Sequence, residues 1–398
     1  MLIDERIPLG RRTQEIKRSA LQDMLMEASR PEVLSFALGL PAAELFPITT
    51  YAQASAQVLS TDQRALQYGP PFQPLKSHIV RLMAMRGVEC KAEQVFLTTG
   101  AQQGISLLTR LLLNPGNQVM VEEMTYTGFQ QVIEPYQPEI LTVPTNIKTG
   151  MEVGAVQELL SGRTRPAFIY TVTDGHNPLA VSMSKGKRAQ LVRLAKQYHI
   201  PIIEDDPYGF LYYQNTPIPP LRAFDDQWVL YVGSFSKILA PALRVGWIIA
   251  PEEMITNLSN IKEASDIDTS TLSQRTISAY IDAGHLKTHL PMLRHEYRVR
   301  RDAMLCALDR HFPSTSRWQE PTSGVFIWVE LPDEIDTVKV LKVALETERI
   351  AFIPGKAFCV KNDCQALHCM RLNFSNSSVE SIKEGIARLA RVLKGMLK

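Results

Sequence analysis

No apolar run in the 398-residue chain approaches the roughly 20 residues that a membrane-spanning helix needs, so a helical membrane protein is not expected. The first residues, MLIDERIPLGRR, lack the apolar core of a secretory signal, and a cytoplasmic protein is the expectation. A charge excess of either sign is missing too. With 43 Lys and Arg against 41 Asp and Glu, no broad field is available to grip nucleic acid or an anionic membrane surface. That leaves a small molecule as the expected partner. Cysteine is scarce: five residues, of which Cys359, Cys364 and Cys369 recur every five positions rather than in the close pairs that zinc favours. They read as free thiols, with no metal site. There is no low-complexity tract and no repeat at solenoid periods.

What is present is a chain too long for one core and rich enough in hydrophobic residues, 45%, to bury a large one. From about residue 90, short β-rich runs (QVFLTT, QVMVEEM, PAFIYTV, IPIIEDD, WVLYVGS, RVGWIIA) are separated by segments with helical spacing. This alternation predicts a mostly parallel sheet covered by helices on both faces. Ahead of it, RRTQEIKRSALQDMLMEAS reads as an amphipathic helix. After about residue 285 come a long charged helix and then GVFIWVELP, IAFIPG and CMRLNFS as strands of a second sheet. The final helix presents Ile382, Ile386, Leu389 and Leu393 on one face, with Ser377 and Glu380 as a capping box. Three parts follow: an N-terminal helix and flap over 1–45 that packs on the smaller domain, a large α/β domain over 46–285, and a small α+β domain over 286–398.

Ligands of open parallel sheets gather at the carboxyl ends of the strands, so polar residues that end apolar runs carry the most information. In VFLTTGAQQG a strand enters Thr99-Gly100-Ala101-Gln102 and then a helix, whose free N–H groups suit a phosphate. An ordinary strand-to-helix turn is the alternative. In IPIIEDDPYGFLYY the strand ends in Glu204-Asp205-Asp206, with Tyr208 beyond. A buried carboxylate there needs a cation or strong donors, whereas a solvated capping acid does not. In VGSFSKILAPALRVGW, Ser234 and Ser236 offer hydroxyls, and Arg244 a fork suited to phosphate. Lys237 offers an amine whose apolar surroundings favour its neutral, nucleophilic form. Phosphate cradle, buried carboxylate and nucleophilic lysine are together the parts that hold pyridoxal 5′-phosphate.

These segments, with FALGLPAAELFP, LQYGP, EEMTYTG, HNPLAVSMS, FIPGKAF and MRLNFSN, resemble the fold-type I, class I/II pyridoxal-phosphate-dependent aminotransferases, in the branch of the aminoadipate and kynurenine enzymes. The resemblance runs from about residue 30 to the C-terminus. It implies a seven-stranded type of sheet between helices in the large domain. Lys237 corresponds to the Schiff-base lysine and proton shuttle, and Asp205 to the partner of the pyridinium nitrogen. Tyr208 and Asn177 match the donors to the ring oxygen, and Tyr126 the aromatic stacked on the ring. Gly100, Ala101, Gln102, Ser234, Ser236 and Arg244 match the phosphate site. Tyr68 matches a tyrosine reaching the phosphate of a neighbouring subunit, which implies a homodimer with shared active sites. Arg371 matches the clamp on the substrate α-carboxylate, with Asn177 beside it. Gly39 and Leu40 fall in a flap over the substrate, where Gly39 serves close backbone approach or an unusual dihedral. The substrates implied are an L-amino acid and a 2-oxo acid.

The chain departs from the family pattern in three places. Asn177-Pro178-Leu179-Ala180 replaces the usual Asn-Pro-Thr-Gly, preceded by His176, which reads as a structural hydrogen-bonding residue before a catalytic one. The run after Tyr68-Gly69-Pro70 is shortened, and Ala101 removes a hydroxyl from the phosphate site. The last change predicts somewhat weaker phosphate retention. Because the changes touch the substrate side, a decarboxylase, lyase or cyclase stays open beside transamination. An effector-binding module of a transcription regulator is the remote third reading. It is disfavoured because only about 30 residues precede the family-like region, too few for a helix-turn-helix segment.

Overall fold

A computed structural model describes residues 30, 32–162, 164–214, 216–361 and 364–396. The amphipathic helix read over 11–29 lies outside them. In chain order, β1 (Leu34–Ser35) and helices α1 (Ile48–Thr61) and α2 (Gln73–Ala84) come first. An alternating run follows: β2 (Val95–Thr98), α3 (Ala101–Leu112), β3 (Gln118–Glu122), α4 (Thr127–Ile133), β4 (Glu139–Val143), a small hairpin of β5 (Thr145–Asn146) and β6 (Gly150–Met151), and α5 (Val153–Ser161). It continues through β7 (Ile169–Thr171), α6 (Lys185–Tyr198), β8 (Ile202–Asp205), β9 (Val229–Ser234) and β10 (Gly246–Ile249). Helices α7 (Glu252–Asp266), α8 (Thr271–Asp282) and α9 (His285–His311) lead to β11 (Arg317–Trp318), β12 (Phe326–Glu330), α10 (Thr337–Thr347), β13 (Ile350–Ala351), β14 (Ile353–Pro354), β15 (Cys369–Asn373) and α11 (Val379–Met396).

The large sheet has the order β2-β10-β9-β8-β7-β3-β4, parallel except for β10, which runs antiparallel to both of its neighbours. Six of its strands coincide with the β-rich runs of the sequence. The seventh, β4, is a half-exposed edge whose EILTV does not read as a buried strand. Strands β8 and β9 are buried along their whole length, as expected where helices cover both faces. Each fully buried Ile, Leu or Val there contributes about 1.5–3 kcal/mol. The second sheet is antiparallel, order β11-β12-β15-β14. The run IAFIPG splits between two partners, since β13 pairs with β1 while β14 pairs with β15.

Helix α11 buries Ile382, Ile386, Leu389 and Leu393 completely, as its spacing predicts. Its cap is one residue later than expected. Ser378, not Ser377, accepts the hydrogen bond from the N–H of Ser381 (3.1 Å), because α11 begins at Val379 and the cap must precede it directly. The cysteine reading is also corrected: Cys359 and Cys364 form a disulfide, because the fold brings their Cα atoms to 5.7 Å, within bridging range. Among the described residues Cys90, Cys306 and Cys369 are free.

Gly175 ties the loop after β7 to the start of β12. Its φ of +55° is one that side-chain residues rarely adopt, and a Cβ there would lie 2.7 Å from the Cα of Gly324, backbone against backbone. Gly175→Ala is therefore expected to destabilise the protein by about 2–5 kcal/mol, combining a left-handed penalty of about 1–2 with overpacking of about 1–3. A thermal unfolding midpoint several degrees lower would show it, and an unchanged midpoint would refute the close approach.

Candidate active site

The carboxyl ends of β2, β3, β7, β8 and β9 open on one cavity of about 440 Å³, closed from the opposite side by the Leu38–Leu40 segment, Phe326 and Arg371. The topology explains the convergence. All five strands run the same way, so the segment after each one emerges on the same edge.

On the floor stands Asp205, the last residue of β8 and 3% exposed. Its Oδ2 accepts a hydrogen bond from Tyr170 OH (2.8 Å), while Oδ1 is buried with no protein partner. Burial raises its pKa to about 7, the Tyr170 bond works against that, and the neighbouring Asp206 charge adds to it. Lys237, in the loop between β9 and β10, donates from Nζ to the Gly39 carbonyl (2.6 Å). Burial, then repulsion from Arg371 and Arg244, lowers its pKa to about 8, so about a tenth of the amine is neutral at pH 7, far more than for an ordinary lysine. A lone buried acid and a neutralisable amine facing one cavity leave an acceptor and a nucleophile uncommitted.

The residues read as a phosphate cradle lie together along one side of the cavity. Ala101 and Gln102 open α3, whose first-turn N–H groups have no partner within the helix. Gly100 precedes them at φ +87°, and a Cβ there would overlap the Arg244 guanidinium. Arg244 donates from Nη2 to the Thr99 carbonyl (2.9 Å), and the Ser234 and Ser236 hydroxyls lie 2.9 Å apart. Tyr126, at the start of α4, lines the cavity with its ring packed over Gly128, and burial first of all pushes its phenol up to about 12. Tyr208 is buried edge-on against Phe326, ring centroids 5.8 Å apart, and burial likewise raises its pKa.

Arg371 on β15 forms the roof. Its guanidinium lies over Phe326 at 4.0 Å and near Phe358 at 4.8 Å, donates from Nη1 to Asn177 Oδ1 (2.5 Å) and from Nη2 to the Ala37 carbonyl (2.6 Å), and leaves Nε unpartnered. Burial lowers its pKa to about 10, which keeps it charged at neutral pH. With Oδ1 taken, the amide nitrogen of Asn177 remains its donor. Gly39 serves close approach, since a Cβ there would lie 2.7 Å from the Phe326 ring. Leu40 lines the cavity and is 42% exposed.

One expected member, Tyr68, stands apart, and His176 lies where a structural residue was expected. Tyr68 is 74% exposed and lines a separate surface cavity beside Lys262 and Ile267. His176 does not line the site: it is buried, with Nε2 3.1 Å from Glu122 Oε2 and Nδ1 accepting from the Leu179 N–H (3.3 Å). Its surroundings are those of a structural residue. Sequence reasoning missed Tyr170, the partner of Asp205, and the buried ion pairs of Arg86 and Arg188 with Asp174 and of Arg86 with Asp206. The only hint of the latter was arginine within apolar spacing.

The buried, unpartnered carboxyl oxygen of Asp205 fits a protonated ring nitrogen, and the cradle fits a phosphate. The chain belongs to the aminotransferase class I and II family, which matches residues 31–389. It is a pyridoxal-phosphate-dependent aminotransferase of fold type I. It is 36% identical to aromatic-amino-acid aminotransferase 1 of Thermococcus litoralis, over 96% of this chain and 93% of the relative. Among solved structures it is similar to the kynurenine aminotransferase of Pyrococcus horikoshii in complex with PMP (TM-score 0.92, 35% identity, 98% of each chain). It is also similar to LysN, the α-aminoadipate aminotransferase of Thermus thermophilus (TM-score 0.90, 33% identity, 98% of each chain).

Proposed function

We propose that the protein moves the amino group of an L-amino acid with a large side chain to a 2-oxo acid, with Lys237 as both the covalent anchor of the cofactor and the proton carrier. The observation that carries this reading is the pairing, in one cavity, of the orphaned Asp205 carboxyl oxygen with the low-pKa amine of Lys237. Pyridoxal phosphate supplies an aldehyde that condenses with amines and an electron-accepting ring. Asp205 would hold the ring nitrogen, Tyr208 and the Asn177 amide the ring oxygen, and Tyr126 the ring face. The α3 N-terminus, Ser234, Ser236 and Arg244 would hold the phosphate. Arg371 orients the α-carboxylate, and the freed Nζ of Lys237 removes the α-proton and returns a proton, a role worth about 10²–10⁴-fold. A large side chain suits the apolar wall of the cavity at Leu38 and Leu40, and it agrees with the aromatic, kynurenine and aminoadipate names of the relatives.

The same reading takes the active unit as a homodimer. Tyr68 and Leu66, 74% and 77% exposed on their own chain, would be covered by the second subunit, and Tyr68 would reach its phosphate. It also divides the chain near residues 46 and 285, each domain built on its own sheet. It sets the enzyme in the cytoplasm, in keeping with the lack, among the described residues, of a helix long and apolar enough to cross a membrane.

Adding amino donors to the holoenzyme tests the reaction. A donor should shift the cofactor absorption to that of the amine form and release one equivalent of 2-oxo acid. Carbon dioxide, ammonia or an eliminated side-chain fragment in its place would favour a decarboxylase or lyase. Arg371→Lys is expected to raise KM for the donor about 10²-fold with a smaller change in kcat, because one ammonium cannot reproduce a two-point grip on a carboxylate. Steady-state kinetics check it, and an unchanged KM would remove Arg371 from that role.

A further inference from the structure

Arg86 lies just beyond α2, is 3% exposed, and does not line the catalytic cavity. Its guanidinium donates from Nη1 to Asp206 Oδ2 (3.0 Å) and from Nη2 to Asp174 Oδ2 (2.8 Å). Asp206 sits between Asp205 and Tyr208 in the chain, and Asp174 lies three residues before Asn177. One planar cation therefore joins the two segments that carry the three groups read as facing the cofactor ring.

Both ends of this strut are themselves fixed. Arg188 donates to Asp174 Oδ1 (2.6 Å) and Oδ2 (3.1 Å), while Asp206 also accepts from Tyr231 OH (2.9 Å) and from the Gly209 N–H (2.7 Å). Burial would raise the pKa of Asp174, but Arg188 and Arg86 overcome it and hold the carboxyl below its ordinary value. Space is equally constrained, since a Cβ on Gly209 would overlap both Arg86 Nη1 and Asp206 Oδ2. Lysine cannot replace this geometry, because two carboxylates are bridged by two nitrogens at fixed separation.

We propose that Arg86 is a positioning residue for transamination, a buried strut that sets Asp205 and Tyr208 relative to Asn177 without touching the substrate. The proposal rests on the roles given above to those three residues. Misplacing reacting groups by about 1 Å can cost about 10²-fold in rate, which sets the scale of the effect.

The test compares wild type, Arg86→Lys and Gly209→Ala as holoenzymes, reading kcat, KM for an amino donor, the pH midpoint of the bound cofactor's visible absorption, and the thermal midpoint. For Arg86→Lys, kcat should fall about 10–100-fold with KM changed less than about threefold. Its absorption midpoint should rise by about half a unit or more, because donors to the ring oxygen favour its anionic form and these would be displaced. Gly209→Ala, which displaces the guanidinium rather than removing it, should move kcat and midpoint the same way, and it carries the test alone if Arg86→Lys does not fold. Folded variants with wild-type kcat and an unmoved absorption midpoint overturn the proposal. So does a loss of kcat that only tracks the fraction of folded, cofactor-loaded protein. Failure of the underlying reading has another signature: wild type itself gives no absorption response to any donor, and the proposal falls with it.

Discussion

Lys237→Ala is expected to lower amino-group transfer by about 10⁴-fold or more, the upper range for loss of a general base, with covalent anchoring lost in addition. Among the described residues, no other side chain lining the cavity can substitute. The remaining cations there are Arg244 and Arg371, and guanidinium groups keep their protons in proteins. Lys237→Arg should fail equally, which separates a need for a nucleophile from a need for charge. The fold should tolerate the alanine, since a buried amine that is held below its ordinary pKa by desolvation gives little stability to lose. Single-turnover conversion of a good donor measures the effect, and a small primary amine added to the alanine variant should restore part of the rate. Activity within tenfold of wild type would sink the assignment.

Asp205→Asn should lower kcat/KM by about 10²–10³-fold, the size found for removing one preorganised electrostatic partner of a reacting group. The same change should stabilise the cofactor-free protein, with a definite pH dependence. Folding raises the Asp205 pKa from 3.8 to about 7, so the folded state prefers the protonated acid. Its contribution is complete below about pH 4 and is lost as pH rises through about 7. An amide does not ionise, so the asparagine variant should gain on wild type across that window, by about 2–4 kcal/mol at pH 8. Urea midpoints of the two cofactor-free proteins at pH 5 and pH 8 read the difference. A gap that fails to widen with pH would show that the carboxyl finds a partner in solution.

The strands that carry the site were legible because each is a short apolar run ending in polar residues, a pattern that burial on both faces imposes. Lys237 stood out for the same reason, lying between β9 and β10. The three acids of EDD looked alike in sequence, and their different fates come from distant contacts. Glu204 accepts from the Leu221 and Arg222 N–H groups, Asp206 from Arg86, Tyr231 and Gly209, and only Asp205 keeps an oxygen free. Nothing local distinguishes them. Strand β4 was missed because an edge strand needs only partial burial, which weakens the apolar signal. The Cys359–Cys364 link was missed because spacing alone does not set the distance between two Cα atoms. The family resemblance supplied what periodicity could not, such as the likeness of Asn177 to a ring-oxygen donor, yet it gave no view of the strut at Arg86.

Strands β9 and β10 meet with Ser234 opposite Gly246, so residues 235–245 form a closed loop whose two stems share one rung of the ladder. Lys237 and Arg244 ride on that loop near opposite stems. Inserting a single residue between them could leave every rung paired and every side chain unchanged, yet alter the spacing of amine and guanidinium. Here the contour length of the chain acts as a catalytic parameter in its own right, and insertions or deletions should be rejected more strictly than most substitutions.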